Sequence, residues 1–256
     1  ERRVDKKTYY DWPETHKLIR ELQPNAVIFS DAGPDVRWVG NEHGFAYETT
    51  WSPLLRDSVY GGMPEYSRQY SAGQENGTHW VPAEADVSIR PGWYYHPYED
   101  HKVKSLSQLL DIYYASIGQN ATLLLNFPVD RRGLVHERDV EQVMKLARKV
   151  REDFAENLAD GAEVSASVNR GSGFEGENVL NSDPDEYWAA PDSSTSAELT
   201  LTFSKPIELN RLTLQEYIAL GQRVRSFVVD AWTDGDWREI ASGKTIGYKR
   251  ILRLPS

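Results

Sequence analysis

Apolar residues recur at helical spacing in residues 11–22, where Leu18, Ile19 and Leu22 follow an early Pro13 and an acidic first turn, and Gln23-Pro24 marks the stop. An unbroken apolar run, Ala26 to Phe29, comes next between Pro24-Asn25 and Ser30-Asp31-Ala32-Gly33-Pro34, which predicts a buried strand. Helix, short loop, buried strand and then a polar irregular loop is the rhythm of a parallel α/β unit. The rhythm returns further on. Ser105 to Ile117 places Leu106, Leu109, Leu110, Tyr113 and Ile117 on one side of a helix that Gly118 stops. Ala121 to Phe127 is a uniformly apolar strand ending at Pro128, and such uniformity predicts burial on both faces, as in a parallel sheet or barrel. Val135 to Phe154 then reads as a long helix with Val140, Val143, Met144, Ala147 and Val150 inward. Between these units, Ser52 to Gly77 is polar and Gly-rich without a clean period, which suggests a long excursion over the C-terminal face that lines a cleft.

After Gly161 the period shortens to two. Leu199 to Phe203, Arg211 to Leu214, Ser226 to Trp232 and Trp237 to Ile240 alternate between Asp-Gly, Ser-Gly and Asn-Ser-Asp-Pro-Asp turns, the texture of a β-sandwich of about a hundred residues. The change falls between 156 and 163, giving an α/β domain over 1–158 and an all-β domain over 159–256.

Composition narrows the partners. The net charge of −10 leaves no basic surplus to displace counterions from phosphate, so nucleic acid is an unfavourable partner. Cysteine is absent, which excludes disulfides and thiolate metal sites but is compatible with any redox compartment. No apolar run approaches the roughly 18 residues of a membrane span. Eight Trp and fourteen Tyr change the picture more, because several of these rings sit among carboxylates and flat apolar faces stack on the C–H faces of sugars. Core filling is the commoner use of any single ring.

Two loops gather the chemistry. Asp35 to Glu48 carries Arg37, Trp38, Glu42, His43 and Glu48 just beyond the first predicted strand, where α/β enzymes collect working groups. Glu42 follows Gly40-Asn41 beside Trp38 and His43; a carboxyl desolvated against an indole holds its proton longer and can act as a general acid, whereas a solvated one is an ordinary surface Glu. The second loop, Trp80 to His96, contains Glu84, Asp86 and Ser88 at alternating positions of a strand, so all three share one side. Glu84 or Asp86 either pairs with Arg90 in a structural network or meets a substrate directly. Trp93, between Gly92 and Tyr94, is either a sugar-stacking wall or a rim aromatic packed on a helix. Phosphate-loop, dinucleotide, Gly-x-Ser-x-Gly and His-Glu-x-x-His patterns are missing, and the histidines lack metal-ligand spacing. Carboxylates among aromatics are the equipment of glycoside hydrolysis.

Tyr10-Asp11-Trp12, Asp35 to Glu42, Glu48-Thr49-Thr50-Trp51-Ser52, Trp80 to His96 and Leu123-Leu124-Leu125-Asn126 with Arg132-Gly133-Leu134 resemble glycoside hydrolase family 29, the α-L-fucosidases. They are most similar to the subgroup acting on α-1,3- and α-1,4-linked fucose. The resemblance implies a (β/α)8-like TIM barrel, of which residues 1–158 are the C-terminal half, and a retaining double displacement. The family's Asp nucleophile, on a Trp-Phe-Asp-Gly-Ala-like motif, is then expected a few residues before Glu1. Its acid/base maps onto Glu42, with Glu48 the alternative and Glu84 third; Arg37, Trp38, Glu84 and Trp93 are expected to contact substrate. No cofactor is implied for catalysis. The substrates implied are fucosylated oligosaccharides or glycoconjugates, met in the periplasm or outside the cell. Residues 178–188, 215–224 and 237–250 resemble a galactose-binding-like, discoidin-type sandwich, truncated near Pro255-Ser256. Its turn at 181–185, with Asp183 and Asp185, either holds a structural calcium ion or is a polar Asx turn. Two other readings remain: a non-catalytic carbohydrate-binding protein with a degenerate barrel, and a different retaining glycosidase.

Overall fold

A computed structural model describes residues 3–30, 32–60, 63 and 70–254. The contacts divide the chain into two compact units: Glu1–Arg148 with Leu212–Arg253, and Lys149–Arg211 with Leu254–Ser256.

The first unit is built on a parallel sheet of three strands, β1 (Arg37–Trp38), β4 (Ala83–Ser88) and β5 (Ala121–Asn126), with β4 in the centre. Register sets the two faces. Arg37 pairs with Ala83 and Ala83 with Ala121, while Trp38 pairs with Glu84, and Asp86 with Leu124. Alternation therefore sends Ala83, Ala85 and Val87, all essentially buried, to one face. Glu84, Asp86 and Ser88 go to the other, as the sequence predicts, together with Trp38, Leu124 and Asn126.

Helix α1 (Trp12–Leu22) is capped by Asp11, whose carboxylate accepts the Glu14 N–H at 3.1 Å. Its apolar stripe is not buried, however: Leu18 and Leu22 are exposed. The run 26–29 likewise fails to become the buried strand its composition predicts. It forms a single parallel bridge, Phe29 to Val36, and Val27 is 71% exposed. β5 departs from expectation in the same way, with Leu124 40% exposed instead of covered on both faces. All three misses have one physical cause. Apolar segments are buried only where a second layer meets them, and the described residues cover one side of this sheet.

Helix α2 (Leu106–Ser116) begins with a Ser105–Gln108 capping box and ends where a Cβ on Gly118 would lie 2.5 Å from the Tyr114 carbonyl. Its buried face is Leu109, Ile112, Tyr114 and Ser116, rotated from the predicted stripe. In helix α3 (Glu137–Asp153) the expected inward residues Val140 and Met144 are exposed, and the buried ones are Asp139 and Leu146. The polar stretch after Ser52 contributes to a core: β2 (Pro53–Leu54) pairs antiparallel with β3 (His79–Trp80), and Leu54, Val59, Tyr70 and Val81 pack together. Its positions 61, 62 and 64–69 lie outside the described residues.

The remaining strands are paired two by two. β6 (Glu163–Ala166) and β7 (Leu199–Thr202) form an antiparallel ladder in the second unit. In the first unit, β8 (Arg211–Leu214) lies beside β11 (Arg250–Arg253), and β9 (Phe227–Thr233) with β10 (Asp236–Gly243) forms a hairpin. The hairpin turns at Asp234-Gly235, both at positive φ, as an Asp-Gly turn requires.

Candidate active site

The strands β1, β4 and β5 run parallel, so their C-terminal ends lie on one side, and the loops that leave them carry the chemistry. The loop after β1 is pinned across the end of β4: Val39 N–H donates to the Glu84 carbonyl at 3.2 Å, Gly44 N–H to that of Asp86 at 3.1 Å, and Ala46 N–H to that of Ala115 at 2.8 Å. Between these ties Glu42 projects as an exposed carboxylate. The indole of Trp93 donates to Glu42 Oε2 at 2.9 Å.

Trp38 is committed elsewhere. Its Nε1 donates to Asp86 Oδ1 at 2.7 Å, the next residue along the same face of β4 from its register partner Glu84. Trp38, Asp86, Phe29 and Ser30 line an open cleft of about 300 Å³. Burial raises the Glu84 carboxyl above the usual carboxylate range, and the charge of Asp86 raises it further. Asp86 is also raised, chiefly by burial; the Trp38 hydrogen bond pulls it down, and the charge of Glu42 pushes it up. These last effects place Glu42, Asp86 and Glu84 in one electrostatic neighbourhood. Asp86 with the Trp38 indole gives the cleft a polar group beside an aromatic wall, a lining suited to a hydroxyl-rich ligand.

Arg37 does not join this site. Its side chain is fully buried on the opposite face, donating to the carbonyls of Ser71 at 3.2 Å, Trp51 at 2.7 Å and Val81. Strand alternation explains the correction, since Trp38 takes the cleft face and its neighbour must take the other. Glu48 is also placed apart, beside Arg250, whose guanidinium donates to the Glu48 carbonyl at 2.8 Å.

Arg90 does not bridge Glu84 or Asp86 either. The strand ends at Ser88, and beyond it the guanidinium turns away, meeting Asp139 on α3 at 2.8 Å and Asp100 at 2.9 Å. Arg90 and Asp139 are both buried, and Arg90 lies 4.7 Å from the ring centre of Tyr95. Two residues given no role toward Trp93 in the sequence reading, Ser88 and Asn126, complete its support. Asn126 Nδ2 donates to the Trp93 carbonyl at 3.1 Å and to Ser88 Oγ at 3.0 Å, and Ser88 Oγ donates to the Gly92 carbonyl at 2.7 Å. Their signal was a polar residue closing each of two neighbouring strands, paired in register.

In the second unit, Asn181 and Asp183 form successive Asx turns: Asn181 Oδ1 accepts the Asp183 N–H at 3.0 Å, and Asp183 Oδ1 accepts that of Asp185 at 2.9 Å. Among the described residues, no group of three or more His, Asp or Glu is placed to hold a metal ion, and no helix is long and apolar enough to cross a membrane.

The model of the F5/8 type C domain matches residues 163–251. Alpha-L-fucosidase 1 of Arabidopsis thaliana is 42% identical over 98% of this chain and 50% of its own length. Among solved structures, a glycoside hydrolase 29 family member from an unknown rumen bacterium is 38% identical with a TM-score of 0.81, covering 99% of this chain and 42% of that one. A Ruminococcus gnavus GH29 fucosidase in complex with fucose is 29% identical with a TM-score of 0.85, covering 95% and 51%. The chain spans about half the length of the curated relatives it matches. These likenesses, to α-L-fucosidases and to members of glycoside hydrolase family 29, run over nearly the whole of this chain.

Proposed function

We propose that this chain is part of a retaining exo-α-L-fucosidase that releases terminal α-1,3- or α-1,4-linked L-fucose from glycans, with Glu42 as its acid/base. Residues 1–158 are the second half of a (β/α)8-like barrel, residues 159–256 belong to a discoidin-like sandwich, and the Asp nucleophile is supplied by protein outside this chain. The open inner face of the sheet supports the barrel reading: Leu124, beside Asp86, is an interior residue awaiting further strands. The single observation that carries the function is the Trp93 indole held on the Glu42 carboxylate, next to the cleft of Trp38 and Asp86.

The chemistry follows from that placement. Glu42 as the acid gives its proton to the glycosidic oxygen as the bond to the anomeric carbon breaks, and the nucleophilic carboxylate takes that carbon. Glu42 then removes a proton from the water that attacks the anomeric carbon, displacing the nucleophilic carboxylate and releasing fucose. Trp93 orients the carboxyl through both steps, and Glu84 and Asp86 bind sugar hydroxyls. Such an enzyme meets fucosylated glycans in the periplasm or outside the cell, which is the localisation we infer.

Glu42→Gln, made in the protein that carries this chain, tests the assignment. The kcat/KM should fall by roughly 10²- to 10⁴-fold on substrates with poor leaving groups and much less on activated aryl fucosides, which need little protonation in the first step. Equal loss on both kinds of substrate would move the acid/base role elsewhere.

A further inference from the structure

We propose that the exposed rings of Tyr94 and Tyr98, the latter stacked with His96, form the platform for the leaving-group saccharide, the sugar to which fucose is attached. This inference rests on Glu42 as proton donor. A general acid stands on the leaving-group side of the scissile bond, because its proton goes to the departing oxygen. Trp93 is hydrogen-bonded to that carboxylate, and the loop that carries Tyr94 and Tyr98 continues directly from it.

Tyr94 is 79% exposed and Tyr98 65% exposed. Single exposed aromatics need no explanation, but these two stand within six residues of the ring that holds the proposed acid, with His96 between them. Their support is fixed. Tyr95, between them in sequence, lies under Arg90 and stacks with His136 at 5.8 Å. The 3-10 helix Pro97–Lys102 is anchored through Asp100 to buried Arg90, and Asn126 holds the Trp93 carbonyl. The His96 and Tyr98 rings are 5.2 Å apart and 24° from parallel. Rings that are exposed yet preorganised bind at little entropic cost, and their flat faces and phenol hydroxyls match a pyranose with apolar C–H faces and a polar rim.

The test compares Tyr94→Ala and Tyr98→Ala in the full protein on two substrates: a fucosylated trisaccharide and α-L-fucosyl fluoride, whose leaving group is one atom. Each variant should lose roughly tenfold in kcat/KM on the trisaccharide and keep wild-type kinetics on the fluoride, a split that a merely structural defect would not produce. Tyr98→Phe, which keeps the ring, should retain most of the trisaccharide activity. Parallel losses on both substrates, or an unchanged trisaccharide rate, would overturn the platform. Glu42→Gln on the same pair separates the two readings: if it lowers kcat/KM for the fluoride as much as for the trisaccharide, the acid assignment fails, whereas the tyrosine result stands or falls by its own substrate split.

Discussion

Asn120 and Gly247 meet so closely that a methyl group on the glycine would lie 2.2 Å from the Asn120 amide. The contact lets Asn120 Oδ1 accept the N–H of Tyr248 at 2.8 Å, while its Nδ2 donates to the Thr50 carbonyl at 3.1 Å. Gln222 closes the junction by donating to the same Thr50 carbonyl at 2.9 Å and accepting the Ser52 N–H at 2.8 Å. Residues more than a hundred positions apart are thus joined by buried amide hydrogen bonds, not by apolar packing.

The direction of these bonds fixes the outcome of one substitution. Asn120 Nδ2 faces three oxygens, those of Thr50, Ser52 and Gln222. Asn120→Asp removes the donor and buries a charge against acceptors, so it should cost about 3 kcal/mol or more of stability in a denaturant titration. A loss under about 1 kcal/mol would mean that water reaches this junction.

The carboxyls of the cleft give a dependence on pH. Glu84 and Asp86 are both raised above their unfolded values, mainly by burial. Through that range the folded state binds more protons than the unfolded one, so the pair's contribution to stability falls as pH rises from the unfolded carboxylate pKa through the raised folded values. Glu84→Gln removes one charge and relieves the other. Its melting temperature relative to wild type should therefore climb between about pH 4 and pH 7. A difference that stays flat, or shrinks, across that interval would contradict the burial of this pair.

How much of this could be seen in the residues alone depends on range. The alternation of Glu84, Asp86 and Ser88 was legible because strand period is a local property, and so was the Asp11 end of α1. The partner of Arg90 was not legible: Asp139 stands 49 positions away, and its approach depends on how α3 crosses the strand ends. Arg37 was misjudged for a related reason. Its place in a loop rich in functional groups suggested substrate, but its neighbour Trp38 occupied the cleft face and left it the interior.

Gly44 links the fold to the proposed acid most directly. It sits at φ +76°, two residues after Glu42, and its N–H is tied to the Asp86 carbonyl. A Cβ there would lie 2.8 Å from Val87 Cγ1 and 3.0 Å from Ile112 Cγ2. Gly44→Ala therefore meets both a backbone conformation unfavourable to L-residues and a crowded core, with a combined cost of about 2 to 4 kcal/mol. The strain is most easily released by lifting the loop away from β4, which would carry Glu42 off the Trp93 indole. The variant should consequently lose activity on poor leaving groups beyond what its lowered stability explains, even at temperatures where it remains folded. Full retention of kcat on such substrates, alongside measurable destabilisation, would show that the loop and the carboxyl it bears are not mechanically coupled.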